Sequence, residues 1–287
     1  MAVTTSKNRQ RETDMATFTT PNPITATVTT AGAHVRIVAG ERTDTVVRVE
    51  PLDSASRKHV QVAATTKVRF SAGSLEVKTT RSGEKAGSVA ITIELPAGSD
   101  LILNTAWTEV AATGVLGDCT VGIGSGHVRL DRVAALRGSL GTGGLAVGHV
   151  AGSTVIEGSS AAVRIGAAEG TVRYRGTSGE VWIGHAHADV DLSGSSGGFD
   201  IDRADRGVIV KAADCPIRVG RVSRGQVELA NSSGGIEIGV SAGTSAEVDA
   251  RSTKGQVRST LPDGGTGELL TVHARTRLDD IVLRPAV

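Results

Sequence analysis

From residue 101 onward, apolar or small side chains recur at a fixed spacing: Leu101, Val110, Cys119, Val128, Leu136, Leu145, Thr154, Val163, Val172, Val181, Val190, Phe199, Val208, Ile217, Val227 and Ile236. The step is nine residues throughout, except eight before Leu136 and ten before Val227. A second apolar residue follows most of them two positions on, as in Val163/Ile165, Val181/Ile183 and Ile217/Val219. That alternation belongs to a strand with one buried face, not to a helix. Turn formers such as Gly158-Ser159-Ser160 and Gly194-Ser195-Ser196-Gly197-Gly198 separate the runs, and glycine there permits tight bends.

The glycines alternate in position. Gly148, Gly166, Gly184, Gly220 and Gly239 fall three residues into every second run, whereas Gly158, Gly176 and Gly194 fall four residues into the others. A two-strand unit of roughly eighteen residues accounts for this, each strand stacking on its own kind. The pattern predicts an all-β chain, a parallel β-solenoid of about nine two-strand coils. An antiparallel meander is the rival, but it leaves the alternation of glycine positions without a cause.

Residues 1–16 read as a polar disordered tail and 17–98 as an irregular β-rich N-terminal cap with loops at 51–58 and 80–88. Residues 99–260 carry the repeats, which fade through Val248 and Val257, and 261–287 are expected to form a C-terminal β cap over the open end.

Composition narrows the core. Six aromatic residues against 37 glycines leave Val, Ile, Leu and Ala to fill thin layers. Lys plus Arg (31) and Asp plus Glu (30) nearly cancel, so no overall field draws in a polyanion and no nucleic-acid partner is expected. The polar first sixteen residues and the lack of a long apolar run predict no membrane association and a cytoplasmic address. Cys119 and Cys215 are expected to be buried small residues with no disulfide between them, lying five coils apart.

Alternation also lists the outward side chains. One series runs Arg137, Val155, Arg173, Asp191, Ile209, Glu228; the other runs Arg129, Ala146, Arg164, Trp182, Asp200, Arg218, Glu237. Stacked ladders of this kind contribute about 1 kcal/mol or less per pair. Trp182, with Arg164, Asp200 and Arg218 beside it, is the candidate interaction surface, because an exposed tryptophan on a flat sheet can anchor a partner.

The remaining motifs carry little chemistry. Serine and threonine occupy the turn positions where a calcium-binding nonapeptide repeat needs aspartate, and Asp200, Asp202, Asp205 and Asp214 do not recur in that register. The run Phe199 to Arg206 is the one candidate for polysaccharide chemistry, but it lacks a second carboxylate cluster on the next coil. His185 and His187 flank Ala186 in a turn, with His149 two coils earlier, too far for one shared ion. Gly138 to Gly148 lacks the Gly-Lys-Ser/Thr ending of a phosphate loop. No catalytic, cofactor or metal residue is therefore expected.

Four stretches together resemble a known family: Phe18-Thr19-Thr20-Pro21-Asn22-Pro23-Ile24; His34-Val35-Arg36-Ile37-Val38-Ala39 with Asp44 to Val49; Ile93-Glu94-Leu95-Pro96-Ala97-Gly98-Ser99; and Gly179-Glu180-Val181-Trp182-Ile183-Gly184. The chain is similar over about residues 17–287 to a bacterial β-strand-repeat family of unknown function, catalogued under the label "putative adhesin". The resemblance implies repeat architecture and brings no catalytic or ligand residue. Where that family favours Gly-Asp-Ile/Val turns, this chain has Gly-His-Val at 126–128, Gly-Glu-Val at 179–181 and Gly-Gly-Phe at 197–199.

The functional expectation is a non-enzymatic scaffold or interaction module. It would bind a protein partner or its own copy, with no small-molecule substrate. A cell-surface adhesin and a carbohydrate-active enzyme are the alternatives.

Overall fold

The computed structural model describes residues 14–79, 87–262, 265 and 267–286. The loop expected at 80–88 lies mostly outside them, as do the first thirteen residues of the expected tail. Residues 14–16 of that tail instead open a strand, Asp14–Thr19. The all-β expectation holds, with a long mixed sheet of 23 strands among the described residues that does not close on itself there.

Through the repeats the pairing is parallel and offset by one two-strand unit. Thr154 faces Val172, Val172 faces Val190 and Val190 faces Val208 along one ladder; Val163 faces Val181, Val181 faces Phe199 and Phe199 faces Ile217 along the other. Hairpin pairing between consecutive runs, as the meander requires, is absent from this segment of the described residues. Every member of the nine-residue series is buried, from Leu101 through Ile236. So is the second inward residue of most runs, including Ile165, Tyr174, Ile183 and Val219. Each such aliphatic side chain removed from water contributes on the order of 1.5–3 kcal/mol, so the seam between the two ladders dominates stability.

The glycine series that includes Gly166, Gly184 and Gly239 has a steric cause. At Gly166, Gly184 and Gly239 a Cβ would lie 2.4, 2.6 and 1.9 Å from the carbonyl oxygen of the residue stacked beneath. The strand bends there so closely over its neighbour that a side chain has no room.

At both ends, order in space departs from order in sequence. Near the N-terminus Thr25–Ala31 lies between Ser74–Lys78 and Asp100–Ala106, and Ala33–Gly40 lies between Val89–Pro96 and Thr108–Ile123, all in parallel. Asp44–Pro51 then pairs antiparallel with Val89–Pro96, and Asp14–Thr19 antiparallel with Asp44–Pro51. Lys67–Ser71 and Ser74–Lys78 form a hairpin whose two turn residues, Ala72 and Gly73, both have positive φ, as a two-residue turn that follows strand twist requires.

At the other end, Leu269–Thr276 and Ile281–Pro285 do not lie outermost as the expected cap. They insert between Gly225–Ala230 and Ser245–Ser252, and between Ile236–Val240 and Val257–Ser259. The outermost strands are therefore the faded repeats. Having no further neighbour among the described residues, they leave Val248 and Val257 exposed, while Val272 and Ile281 are fully buried.

A helix, Arg57–Thr65, also stands where only loop and strand were expected. It packs against Asp44–Pro51 through one buried residue, Val62. The Thr65 and Thr66 hydroxyls donate back to the Gln61 and Val62 carbonyls and end it. Val62 and the partly buried Ala63 are its apolar anchors, and nine residues are too few for a stripe that repeats over several turns.

Candidate functional site

Parallel stacking places the four expected surface residues in one column: Arg164 faces Trp182, Trp182 faces Asp200 and Asp200 faces Arg218. Trp182, however, is half-buried and does not project. Its ring folds along its own strand over Gly184, and its indole N–H donates to Asp202 Oδ2 at 3.2 Å. Asp202 occupies the position that glycine holds in neighbouring units, which brings its carboxylate to the ring. Arg218 donates to Asp200 Oδ1 at 2.6 Å and to Asp202 Oδ1 at 3.0 Å. These bonds, that of Asp202 first, hold the guanidinium above its ordinary value. A shallow groove of about 450 Å³ runs beside the column, between Arg164 and Pro216.

The projecting tryptophan is Trp107, 70% exposed and held at φ +49°. It sits between the strands Asp100–Ala106 and Thr108–Ile123, and its backbone N–H donates to Ser125 Oγ at 3.1 Å. A bulky residue in the left-handed region is strained, and such strain concentrates at functional positions. Trp107 lies in a turn, outside the alternating positions from which outward residues were read.

A second cluster joins residues that sequence reading kept apart. Glu169, His187 and Asp205 stand one repeat apart at the same corner, and His185 projects beside His187 across buried Ala186. Backbone hydrogen bonds lock the corner: Glu169 N to Val150 O, His187 N to Ala168 O and Asp205 N to Ala186 O, each 2.9 Å. The side chains form a continuous ladder. His185 Nε2 lies 2.8 Å and His187 Nδ1 3.0 Å from the same oxygen, Asp205 Oδ2. His187 Nε2 lies 3.6 Å and His149 Nε2 3.3 Å from Glu169 Oε1. Arg203 Nε donates to the other Asp205 oxygen, Oδ1, at 2.9 Å. The two imidazole rings overlap with centroids 3.7 Å apart. Burial opposes ionisation of Asp205, but the hydrogen bonds from His185 and Arg203 prevail and hold its carboxyl below the ordinary range.

No metal was expected, because His149 was the partner weighed for His185 and His187. His149 is instead tied to Glu169, while ligand atoms of His185, His187 and Asp205 all lie within 4.8 Å of one another. The exact eighteen-residue spacing of Glu169, His187 and Asp205 was the available signal, visible once turn positions are written in columns as the strand positions were.

The three aspartates weighed for catalysis, and Asp214, which was weighed with them for calcium, do not converge. Asp200 and Asp202 pair with Arg218, Asp205 with the histidines, and Asp214 accepts from Ser233 Oγ at 2.7 Å. Cys119 and Cys215 are free, buried thiols. Burial, helped by Asp100 and Asp118, pushes Cys119 up to about 12, so neither its thiolate nor its metal-binding form is accessible near neutrality. Among the described residues no helix is long and apolar enough to cross a membrane.

No family model and no curated protein matches this chain. Solved structures similar to it include a "putative adhesin" from Bacteroides fragilis (11% identity, 96% of this chain and 98% of that one, TM-score 0.35). Another is a "putative adhesin" from Parabacteroides merdae (8%, 93% and 95%, TM-score 0.39). A third is a "putative lipid binding protein" from Parabacteroides distasonis (10%, 94% and 96%, TM-score 0.38).

Proposed function

We propose that this chain is a non-enzymatic scaffold, a two-sheet parallel solenoid with a unit of about eighteen residues, that docks a protein partner in the cytoplasm. The observation that carries the reading is Trp107. A large amphipathic ring, 70% exposed on a backbone that disfavours it, is what a docking anchor needs: much contact area at low cost in side-chain entropy. The groove beside Arg164, Trp182, Asp200 and Arg218 offers a polar, ion-paired surface of the kind found at an interface rim.

The test uses the full chain and a Trp107→Ser variant, with cross-linking in cells followed by light scattering of the purified complex. A partner, or a second copy, retained by the parent and lost by at least about tenfold in the variant supports the reading. A monomer without partners, or a complex indifferent to Trp107, overturns it. Surface labelling of intact cells separates the adhesin alternative, which requires the chain to be labelled. Turnover of an acidic polysaccharide, lost when Asp200, Asp202 and Asp205 are changed to Asn, would establish an enzyme instead.

A further inference from the structure

We infer that His185, His187 and Asp205 form a binding site for a divalent transition-metal ion of the zinc class, independently of the docking reading. The donor set is two imidazole nitrogens and one carboxylate oxygen, which suits Zn²⁺, Co²⁺, Ni²⁺ or Cu²⁺ and not the oxygen-seeking Mg²⁺ or Ca²⁺. The spacing suits it too. Bonds of about 2.1 Å put adjacent ligand atoms roughly 3.0–3.4 Å apart, so the 2.8 and 3.0 Å from His185 Nε2 and His187 Nδ1 to Asp205 Oδ2 need to widen by roughly half an ångström or less.

What separates this cluster from a chance meeting of polar side chains is its outer shell. A metal-bound histidine ordinarily gives its other ring N–H to a carboxylate, which fixes the tautomer and aims the lone pair at the ion. His187 approaches that arrangement: Nδ1 turns toward Asp205 and His185, and Nε2 lies 3.6 Å from Glu169 Oε1, within ion-pair reach though beyond hydrogen-bond distance. Glu169 is itself steadied by His149. Arg203 engages Asp205 Oδ1 and leaves Oδ2 directed at both histidines. Two of the three ligands are thus oriented from behind by charged groups that are not themselves ligands.

The site also spans two repeats. His185 and His187 belong to the corner of one unit and Asp205 to the next, held in register by the bond from Asp205 N to Ala186 O. The ion would cross-link neighbouring units, with water completing its coordination on the open side.

The experiment is isothermal titration of the untagged, chelator-stripped full chain with ZnCl₂, repeated with MgCl₂. One saturable Zn²⁺ site per chain and no Mg²⁺ binding are expected, with the melting temperature rising as Zn²⁺ is added. His187→Ala and Asp205→Asn should abolish the site. Glu169→Gln, which removes no ligand, should weaken binding by about tenfold or more. His127→Ala, at a distant exposed histidine, should leave binding unchanged.

Should a ligand variant misfold, Co²⁺ absorption of the folded parent decides the matter. Bands shifted and strengthened from those of the aqueous ion by nitrogen ligation are expected, and a spectrum identical to that of the aqueous ion would overturn the site. Absence of saturable Zn²⁺ binding, or binding unchanged in the folded double variant His185→Ala/His187→Ala, would equally overturn it, leaving a hydrogen-bonded ladder only.

Discussion

Gly197 lies so close to Gly179 that a Cβ on it would sit 1.9 Å from the Gly179 carbonyl oxygen, and its φ of +114° disfavours any L side chain as well. Gly197→Ala must therefore move backbone, not a flexible side chain. A loss of about 3 kcal/mol or more is expected in urea denaturation. Gly40→Ala, with nothing within 4 Å of the added methyl, should change stability by less than about 1 kcal/mol.

Tyr174 is buried, and its hydroxyl lacks a hydrogen-bond partner among the described residues. Its ring meets Phe199 edge-on at 6.1 Å. Tyr174→Phe keeps the packing and removes an unsatisfied polar atom, so thermal unfolding should show a change between zero and about 1 kcal/mol of added stability. A clear loss would mean that the hydroxyl has a partner, such as an ordered water.

Near the N-terminus, hydrogen bonds from Arg42 first and then Arg48 outweigh burial and hold the Glu94 carboxyl below its ordinary value. A carboxyl depressed by folding contributes stability above its unfolded value and loses it as pH falls through the folded one. Glu94→Gln should accordingly melt at a lower temperature than the parent at pH 7. The gap should close as pH falls below the usual carboxylate range.

Strand order at the C-terminal end can be read from a pair of truncations. Val272 is fully buried between Val227 and Val248, and Val248 is 38% exposed. Val272→Ala should cost about 2 kcal/mol and Val248→Ala well under 1 kcal/mol. Equal costs would mean that Leu269–Thr276 is not inserted between those strands.

The periodicity of Val163, Val181 and Phe199 made the inward face legible because strand alternation and tight turns are local properties. Which strands become neighbours is not local. Val77 and Val272 alternate with polar residues as any repeat strand does, so their pattern names a face but not a partner, and the interleaved ends stayed hidden. Trp182 was read as exposed because alternation gives direction only. Its burial follows from Asp202, which replaces the glycine that neighbouring units carry there. The histidine–aspartate corner was missed for the complementary reason: Glu169, His187 and Asp205 lie in bends just past their strands and His185 near the end of Glu180–Ala186, beyond the regular alternation, and they meet only through stacking.

Inserted terminal strands also fix an order of assembly. In the middle of the molecule each run meets its neighbour after a loop of about eighteen residues, whereas Val28 must find Leu103 and Val227 must find Val272 across far longer stretches of chain. The extra closure entropy, roughly 1 kcal/mol for a fourfold longer loop, makes the central units the natural nucleus. The two extremities then dock last and fray first, so amide exchange should be slowest around Val181 and fastest toward Ser245–Ser252 and Lys67–Ser71.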